Sequence, residues 1–370
     1  MVIETQLLQE KCKKILEAIT TKTAKNKISS DTIELEIANG ALYLNATDKE
    51  YFVSVKLPLE GDLEEFHAVI PSARFLDLVT RTTSKTITMK VTSNYLMIKG
   101  NGAAKEPLIY NGTKLVEVPR ITIDNVTNEF TIKNSLLQSV LKYNDKILYT
   151  EGHDSFPVFY IDNEGAITVS KSACINSFTL EQPVSLILSE KLVKLFKLFK
   201  AEDIKFTMGF DTTPNGITQQ KVMFFDGSVM LTAILNTDTK IVRRFPVKAI
   251  RARAEQVAPY SVVLNKNVLL SAIERISLYK DSIESCIQMN FMPNDLTMND
   301  IHKAAEETIT YVNNCPALPA EGYSAKFNVD DLLLVLNMFD DEFLTVHFGD
   351  NAIALVKANI KYMLPECEYR

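Results

Sequence analysis

Four lysines recur at every third position of one short stretch: Lys191, Lys194, Lys197 and Lys200. Residues three apart in a helix lie on one slowly drifting side, so a helix here carries a stripe of positive charge. Such a stripe suits loose attraction to phosphate groups without base recognition, and that attraction weakens as salt rises. The alternative interpretation is an ordinary solvated helix face.

Signatures of enzymatic chemistry are missing from the sequence. It contains no GxxxxGK[ST] phosphate loop, no HExxH and no GxSxG. The four histidines lie far apart in sequence, so surface or structural roles are the simpler interpretation: His67, His153, His302 and His347. Gly100-Asn101-Gly102 is interpreted as a loop after a strand, because no helix with the dinucleotide-binding pattern follows it. We therefore expect no catalytic site, no metal site and no cofactor.

The composition is that of a soluble globular protein. The chain has 370 residues, of which 46% are hydrophobic and 23% are charged, which fits two or three domains. Its net charge of −6 argues against nucleic acid coating the whole surface, but it allows a basic concave face. No apolar run is long enough to span a membrane, and the first residues lack a secretory pattern. Five cysteines without a CxxC motif indicate reduced thiols, so we expect a cytoplasmic protein.

Similar segments occur three times along the chain. Paired leucines open a helix-like stretch at Leu7-Leu8, Leu136-Leu137 and Leu269-Leu270. A second helix-like stretch follows each one, at 75–79, 192–196 and 332–336. The period of about 130 residues is too long for a solenoid repeat, so it predicts tandem domains of one fold.

Each copy is predicted to be a β-rich sheet that carries two helices, an α+β arrangement. In the first copy we predict helices at 5–20 and from 72, with strands at 32–37, 41–48, 51–58, 67–70, 86–91 and 95–100. In the second we predict helices at 134–149 and 190–200, with strands at 158–161, 166–170, 184–188, 204–210 and 222–236. In the third we predict a helix at 266–279 and one after Asn328, with strands at 286–292, 307–312, 343–348 and 352–357. Ser189 and Asn328 are predicted N-caps, and the linkers are predicted at 118–125 and 248–258.

Several of these segments match a known family. Residues 42–48, LYLNATD, followed by 53–58, VSVKLP, are similar to the family stretch LTLTGTDLE…VEVP. Residues 69–75, VIPSARF, are similar to its LPAR.F helix start, and Phe327-Asn328 with the terminal YMLP at 362–365 resembles its ending. In this order and spacing, the chain resembles the bacterial-type DNA sliding clamp, the β subunit of DNA polymerase III. The resemblance implies clamp domains at 1–122, 123–253 and 254–370.

The resemblance implies a fold and a function. Three tandem copies of an α+β DNA-clamp domain, in a head-to-tail homodimer, close into a ring around duplex DNA. Such a ring is a processivity factor without enzymatic activity that tethers the replicative DNA polymerase and is opened by a clamp loader. The alternative is a clamp-fold scaffold that docks peptides and no longer encircles DNA. A hydrolase or transferase is a distant third possibility, because no catalytic constellation supports it.

The resemblance also assigns site residues. The DNA-binding residues are basic groups on the helices and on the loop after the first: Lys11, Lys13, Lys14, Lys22, Lys25, Lys27, Arg74, Arg81, Lys142, Lys146, Lys191, Lys194, Lys197, Lys200, Arg275 and Lys280. The last helix is acidic at both ends, with Asp330, Asp331, Asp340 and Asp341, which weakens a positive lining there. The dimer contacts are Leu108, Ile109 and Tyr110 against Leu278 and Tyr279, where a strand pairing would cover exposed edges; alternatively, 108–110 is a buried strand.

A peptide-binding pocket is implied between the second and third domains. Its wall would comprise Ser170, Ala173, Ile175, Pro246, Ala352, Ala354, Met363, Leu364 and Pro365, although these groups could instead complete an interdomain core. The chain departs from the family here: residues 170–175 read SKSACI in place of TDxHRL, and the end reads LPECEYR where MPMR is usual. We hypothesise that this divergence reflects a clamp that serves its own replisome, such as that of a bacteriophage.

Overall fold

The protein has an α+β fold, as predicted, in a computed structural model. The structure describes residues 1–19, 31–48, 50–61, 64–144, 158–169, 172–212, 216, 218–235, 247–256, 259–280, 285–313 and 315–367. These residues form two compact units. The first contains residues 1–137 and 194–237, and the second contains residues 138–193 and 238–370.

An eight-stranded antiparallel sheet is the centre of the first unit. Its strands, in spatial order, are β11 (Asn125–Lys133), β16 (Asp203–Thr212), β17 (Thr218–Phe225), β18 (Val229–Ile234), β4 (Tyr51–Pro58), β3 (Ala41–Thr47), β2 (Thr32–Ala38) and β5 (Phe66–Pro71). A four-stranded sheet contains β1 (Val2–Glu4), β6 (Thr86–Val91), β7 (Tyr95–Lys99) and β8 (Ala103–Pro107). A short hairpin joins β9 (Tyr110–Asn111) to β10 (Lys114–Leu115).

Two helices pack in the first unit, α1 (Thr5–Ala18) and α2 (Ser72–Arg81). Helix α1 buries Leu8, Cys12 and Ile15, which recur with the helical period on one face. It packs on β3 and β4, whose inward residues Leu44 and Val55 are fully buried. On the opposite side of α1, Glu10, Lys13 and Glu17 are exposed, whereas Lys14 is half-buried and the Lys11 side chain is only 14% exposed.

The second unit repeats this plan. Its eight-stranded sheet has the order β15 (Ser185–Leu188), β12 (Val158–Asp162), β13 (Gly165–Val169), β14 (Ala173–Ser177), β26 (Ile360–Pro365), β25 (Ala352–Lys357), β24 (Phe343–Gly349) and β19 (Tyr260–Asn265). Its four-stranded sheet has the order β22 (Glu306–Thr310), β21 (Asp295–Asp300), β20 (Cys286–Phe291) and β23 (Tyr323–Asn328).

The remaining helices follow in chain order. They are α3 (Asn134–Ser139) with a π-helical turn at Val140–Asn144, α4 (Glu190–Lys194) with a 3₁₀ turn at Leu195–Leu198, α5 (Val247–Gln256), α6 (Lys266–Ser277) and α7 (Val329–Leu336). Both predicted N-caps are confirmed. Ser189 Oγ accepts from the Leu192 amide at 3.3 Å, and Asn328 Oδ1 accepts from the Asp331 amide at 3.0 Å.

Several predicted elements differ from the structure. The predicted linker at 248–258 is wrong, because most of it is helix α5. The predicted strand at 222–236 is two strands, since Asp226 accepts from the Ser228 and Val229 amides and turns the chain. The predicted helix at 190–200 tightens into the 3₁₀ turn at Leu195 and ends at Leu198.

The domain boundaries at 122 and 253 remain a prediction. The eight-stranded sheets run across both positions, because β18 pairs with β4 and β14 pairs with β26. Each large sheet therefore joins strands from two of the three predicted copies.

Candidate nucleic-acid interface

Basic residues from α1 and from the 3₁₀ turn meet in the first unit. Burial lowers the pKa of Lys14, and the positive charges of Lys11 and Lys200 lower it further. Lys11 and Lys14 are three residues apart on α1, whereas Lys200 follows a segment almost 200 positions later. The carboxylates of Asp226 and Glu10 act in the opposite direction. The contact between the two segments is direct, since Lys197 Nζ of the turn lies 2.6 Å from Glu17 Oε2 of α1. We call Lys11, Lys14, Lys197 and Lys200 the basic cluster.

The lysine stripe is positioned by the geometry of its helix. In the segment that follows Lys194, the apolar residues Leu195, Phe196, Leu198 and Phe199 are buried, while Lys197 and Lys200 are exposed. Side chains three apart eclipse one another in a 3₁₀ helix, so the tightened turn aligns the lysines more closely than an α-helix would. Lys191 is exposed on α4, and Lys194 is half-buried.

Acidic residues neutralise part of this surface. Lys197 Nζ lies 2.6 Å from Glu17 Oε2, and Lys11 Nζ lies 3.4 Å from Glu10 Oε1. Both acidic partners are at least half exposed, so each pair contributes little energy and can be exchanged for a phosphate. The cluster therefore has the character of a weak, adaptable anion-binding surface.

The other predicted DNA-binding residues of the first unit are distributed more widely. Lys13 is exposed on α1. On α2, Arg74 Nε lies 3.5 Å from Glu106 and Arg81 lies 3.9 Å from Asp77. Three more of the predicted residues, and one of the second unit, lie outside the described residues: Lys22, Lys25, Lys27 and Lys146.

In the second unit, the remaining predicted cations are all in ion pairs. Lys142 pairs with Asp340, and Lys280 Nζ lies 2.6 Å from Asp330. These carboxylates are at the two ends of the last helix, which the sequence identified as acidic. Arg275 makes two bonds to Glu307, at 2.6 and 2.9 Å. Ion pairs thus occur among the predicted cations of both units, and the first unit differs in that lysines from two distant segments lie near one another.

Four of the nine residues predicted for the peptide-pocket wall lie in one apolar cluster of the second unit. Ala173, Ile175, Ala354 and Met363 pack with Ile167 on one face of the eight-stranded sheet and are each less than 10% exposed. Helix α5 covers this face with Val247, Ile250 and Ala254, which recur at helical spacing.

The edges of this predicted pocket are less completely defined. Ala352 and Leu364 are buried nearby, and Pro365 is exposed. Ser170 and Pro246 lie outside the described residues. The role of these residues in peptide binding stays a prediction.

The predicted dimer contacts lie near strand edges and helix ends. Leu108 and Ile109 are half-buried and Tyr110 is 42% exposed, directly after the edge strand β8. Leu278 and Tyr279 follow α6 and are 81% and 54% exposed. The role of these residues in a dimer contact stays a prediction.

Some polar groups with clear structural roles had no strong sequence signal. His67 Nε2 lies 2.6 Å from Glu34 Oε1, and this hydrogen bond raises the pKa of His67. Arg251 makes a bidentate contact with Asp162, at 2.6 and 2.7 Å. For the pair of Arg251 and Asp162, the sequence offered only a basic residue within the predicted linker at 248–258.

Neither a metal cluster nor a membrane span is found in the part of the chain that the structure describes. No three His, Cys, Asp or Glu residues in that part lie close enough to hold a metal ion. No helix in it is long and apolar enough to cross a membrane.

Comparisons with known proteins agree with the fold. Residues 1–111 match the family described as DNA polymerase III beta subunit, N-terminal domain. The beta subunit from Pseudomonas aeruginosa is similar in structure with a TM-score of 0.78 at 15% identity, covering 100% of both chains. The Thermotoga maritima beta subunit gives a TM-score of 0.74 at 16% identity, covering 100% of this chain and 99% of that one.

A further solved structure is similar to this chain as well. The sliding clamp from Bacillus subtilis gives a TM-score of 0.76 at 14% identity, with 100% of this chain and 99% of that chain covered. No curated protein matches the sequence. The chain thus has the fold of the DNA polymerase III beta subunit along its whole length, and its first 111 residues match the N-terminal domain of that family.

Proposed function

We propose that this protein is a DNA sliding clamp, a processivity factor that encircles duplex DNA and tethers a replicative DNA polymerase. The observation that carries the proposal is the basic cluster of the first unit, assembled on helices of a chain with the full-length clamp fold. Its lysines come from two distant segments that the contact between Lys197 and Glu17 joins, which fits a continuous surface for phosphates. The protein would act as a topological tether, without catalysis of its own.

Ring closure would use the edges of the two four-stranded sheets. Strand β8 is at the edge of one sheet and β22 is at the edge of the other. In a head-to-tail homodimer, β8 of one protomer would pair with β22 of its partner, and Leu278 and Tyr279 would be covered. The interface is heterologous at each seam and closes after two copies.

Charge reversal in the basic cluster tests the DNA-binding surface. We expect the double substitution Lys197→Glu and Lys200→Glu to weaken DNA binding and to lower the slope of log K against log salt by about 2. Binding would be measured by fluorescence anisotropy over a salt series. The matched control, Lys90→Glu with Lys114→Glu, makes the same change in net charge on strands β6 and β10 and should leave the slope unchanged. Equal loss in both double variants would contradict a local DNA surface.

The topology of the bound DNA tests encirclement. Protein loaded on nicked circular DNA by the host's clamp loader should remain bound through gel filtration and should be lost once the circle is cut. Light scattering should give the mass of a dimer, and Leu278→Glu should shift it toward the monomer because a buried charge is costly at an interface. Retention that is indifferent to linearisation would instead favour the clamp-fold scaffold that docks peptides.

Peptide docking by the polymerase and the clamp loader is proposed beside α5, at the margin of the apolar face that this helix covers. The observation that supports it is the cluster of Ile167, Ala173, Ile175, Ala354 and Met363 at the position that the resemblance assigns. Crosslinking from a residue beside the cluster, such as Pro365→Cys, to a C-terminal peptide of the polymerase would test it. A crosslink that is no stronger than one from an exposed site such as Ser261→Cys would exclude this location.

A further inference from the structure

Two of the five cysteines lie side by side in the second unit. Cys286 begins strand β20, and Cys367 follows strand β26. Their thiol groups share a hydrogen bond, although the two residues are far apart in the chain. Cys12, Cys174 and Cys315 are buried, whereas Cys286 and Cys367 are half-buried. Reagents from solvent can therefore reach this pair more easily than the other thiols.

The backbone of strand β23 brings the two cysteines together. On one side of β23, Cys286 is the cross-strand neighbour of Asn328. On the other side, the Cys367 amide donates to the Lys326 carbonyl at 2.8 Å. Lys326 and Asn328 are two residues apart, and side chains two apart in a strand lie on the same face of the sheet. The cysteines thus flank one short stretch of β23 from opposite sides.

Further hydrogen bonds fix the segment that carries Cys367. The Glu366 amide donates to the Asn351 carbonyl at 2.9 Å, and the Glu366 carboxylate accepts from the Lys326 amide at 3.3 Å. Strand β23 is at the edge of its sheet, so these bonds place the segment along an open strand edge. Because the two thiols are already positioned, little conformational entropy is lost when they are joined.

The surroundings of the pair disfavour a thiolate at Cys367. Burial is the largest cause that raises the pKa of Cys367, and the hydrogen bond with Cys286 is also a cause. The carboxylates of Asp331, in the first turn of α7, and of Glu366 act in the same direction. A disulfide is readily reduced when its thiolate form is stabilised, and these surroundings give no such stabilisation to Cys367.

We propose that Cys286 and Cys367 form a reversible disulfide, and that their oxidant is a small-molecule disulfide of the glutathione class. The Cys286 thiolate attacks one sulfur of the oxidant, whose S–S bond breaks, and the leaving thiolate takes up the proton that Cys286 lost. Cys367 then attacks the Cys286 sulfur of the mixed disulfide and gives its proton to the second leaving thiol. Two protein thiols are oxidised, and one small disulfide is reduced to two thiols.

This disulfide would join the two sheets of the second unit. Cys286 is in the four-stranded sheet, and Cys367 lies two residues after strand β26 of the eight-stranded sheet. A crosslink between segments that are distant in sequence restricts the unfolded chain and so stabilises the folded state. The oxidised second unit should therefore resist unfolding better than the reduced one. The proposal does not depend on the clamp function, because it needs neither DNA nor a partner protein.

Peptide mapping of the full chain tests the proposal. The reduced protein would be equilibrated in glutathione buffers of increasing oxidised fraction, its remaining thiols would be blocked, and it would be digested with trypsin. We expect one linked product, peptide 281–303 joined to peptide 362–370, with the other three cysteines blocked as free thiols. Its formation constant should fall about a hundredfold when the chain is unfolded in urea, because the fold holds the two thiols together. Glutathione attached to either cysteine without the linked product would overturn the proposal, as would an equal constant in urea.

Two variants relate the disulfide to stability. In the wild type, oxidised glutathione should raise the midpoint of thermal unfolding by roughly 5 °C relative to reduced glutathione. Cys367→Ser leaves Cys286 without its partner, so both buffers should give the same midpoint. The matched control Cys315→Ser removes a thiol of the same unit and should keep the shift, which compares two buffers on one protein. A shift that persists in Cys367→Ser would assign the effect to another site and overturn the proposal.

Discussion

The two eight-stranded sheets each have one face covered by a segment that the sequence predicted to be a linker, but the covers differ. In the first unit, the segment 118–124, which we call the strap, passes over polar groups and leaves a groove of about 540 Å³ that is half open to solvent. In the second, helix α5 passes over Ile167, Ala173, Ile175, Ala354 and Met363 and packs against them. The residues of the sheet face explain the difference: an apolar face is stabilised by an amphipathic helix, whereas hydroxyl, amide and carboxylate groups must keep hydrogen-bond partners.

Both covers are held by an arginine bound to carboxylates of the sheet. In the first unit, Arg120 contacts Glu34 and Glu36. In the second, Arg251 contacts Asp162 and Glu164. The environments differ, because the side chain of Arg120 is 51% exposed and that of Arg251 is 20% exposed. The comparison predicts that the second contact contributes more stability than the first.

The largest effect is expected from Arg251→Met. This change leaves the Asp162 carboxylate, 9% exposed, without its bidentate partner, which should lower the free energy of unfolding by roughly 3 kcal/mol. Urea unfolding followed by circular dichroism would measure the loss, and hydrogen exchange should show α5 amides opening first. Arg253→Met is the matched control on the same helix, and it should cost about 0.5 kcal/mol because its partner Asp350 is 61% exposed. If both variants lost equal stability, the bidentate contact would not be what holds α5.

A smaller effect is expected from Arg120→Met. Glu34 keeps its bonds from His67 and Asn45 in this variant, so no buried charge is left without a donor. The loss should be about 1 kcal/mol, since the arginine is half exposed and its pairing is screened by solvent. Limited proteolysis at the strap should become faster, while cleavage near α5 stays unchanged. The control Lys133→Met removes a pair between exposed groups and should leave both rates alone. A loss of unfolding free energy as large as that of Arg251→Met would contradict the expected difference in stability between the two covers.

Periodicity predicted most of the elements, and helical spacing in α1 directly reflects which side chains are buried. In β2 to β4 both faces are buried, so the alternation there reflects polar residues such as Glu34, Asn45 and Ser54 on one face. The cap residues Ser189 and Asn328 were predictable for a similar reason, since capping is a local interaction. Helix α5 was missed. Its buried apolar face consists only of Val247, Ile250 and Ala254, and four of its ten residues are charged, so burial is evident only once β14, β25 and β26 lie beneath it.

Site residues were less predictable than elements. The lysine stripe was visible because its four members lie within ten residues, but its approach to Lys14 depends on packing between distant segments. The sequence could not predict two further long-range pairs either, Lys142 with Asp340 and Lys280 with Asp330. The cavity under the strap combines β2–β4, β11 and β16–β18, and no local motif marks such a combination.

The smallest expected effect is a difference in how the stability of the two covers depends on pH. The hydrogen bond to Glu34 is the main cause that raises the pKa of His67 above its ordinary value of 6.5. A raised folded-state pKa stabilises the protein fully below the unfolded value, and this contribution is lost as pH rises through the folded pKa. The first unit should therefore lose stability as pH rises from about 6 through the neutral range. His67 is 35% exposed, so the expected loss is only about 0.5 kcal/mol.

His67→Gln tests this difference, because glutamine keeps a donor for Glu34 but does not titrate. Urea unfolding at pH 6 and at pH 8 should give a stability difference in the wild type that is smaller in His67→Gln. The arginine that holds α5 keeps its charge throughout this range, so hydrogen exchange of α5, corrected for its intrinsic pH dependence, should not follow the change. His347→Gln is the control, since burial lowers the pKa of that histidine and its contribution has the opposite sign. A pH dependence that is unchanged by His67→Gln would show that the His67–Glu34 hydrogen bond is not what makes the first unit respond to pH.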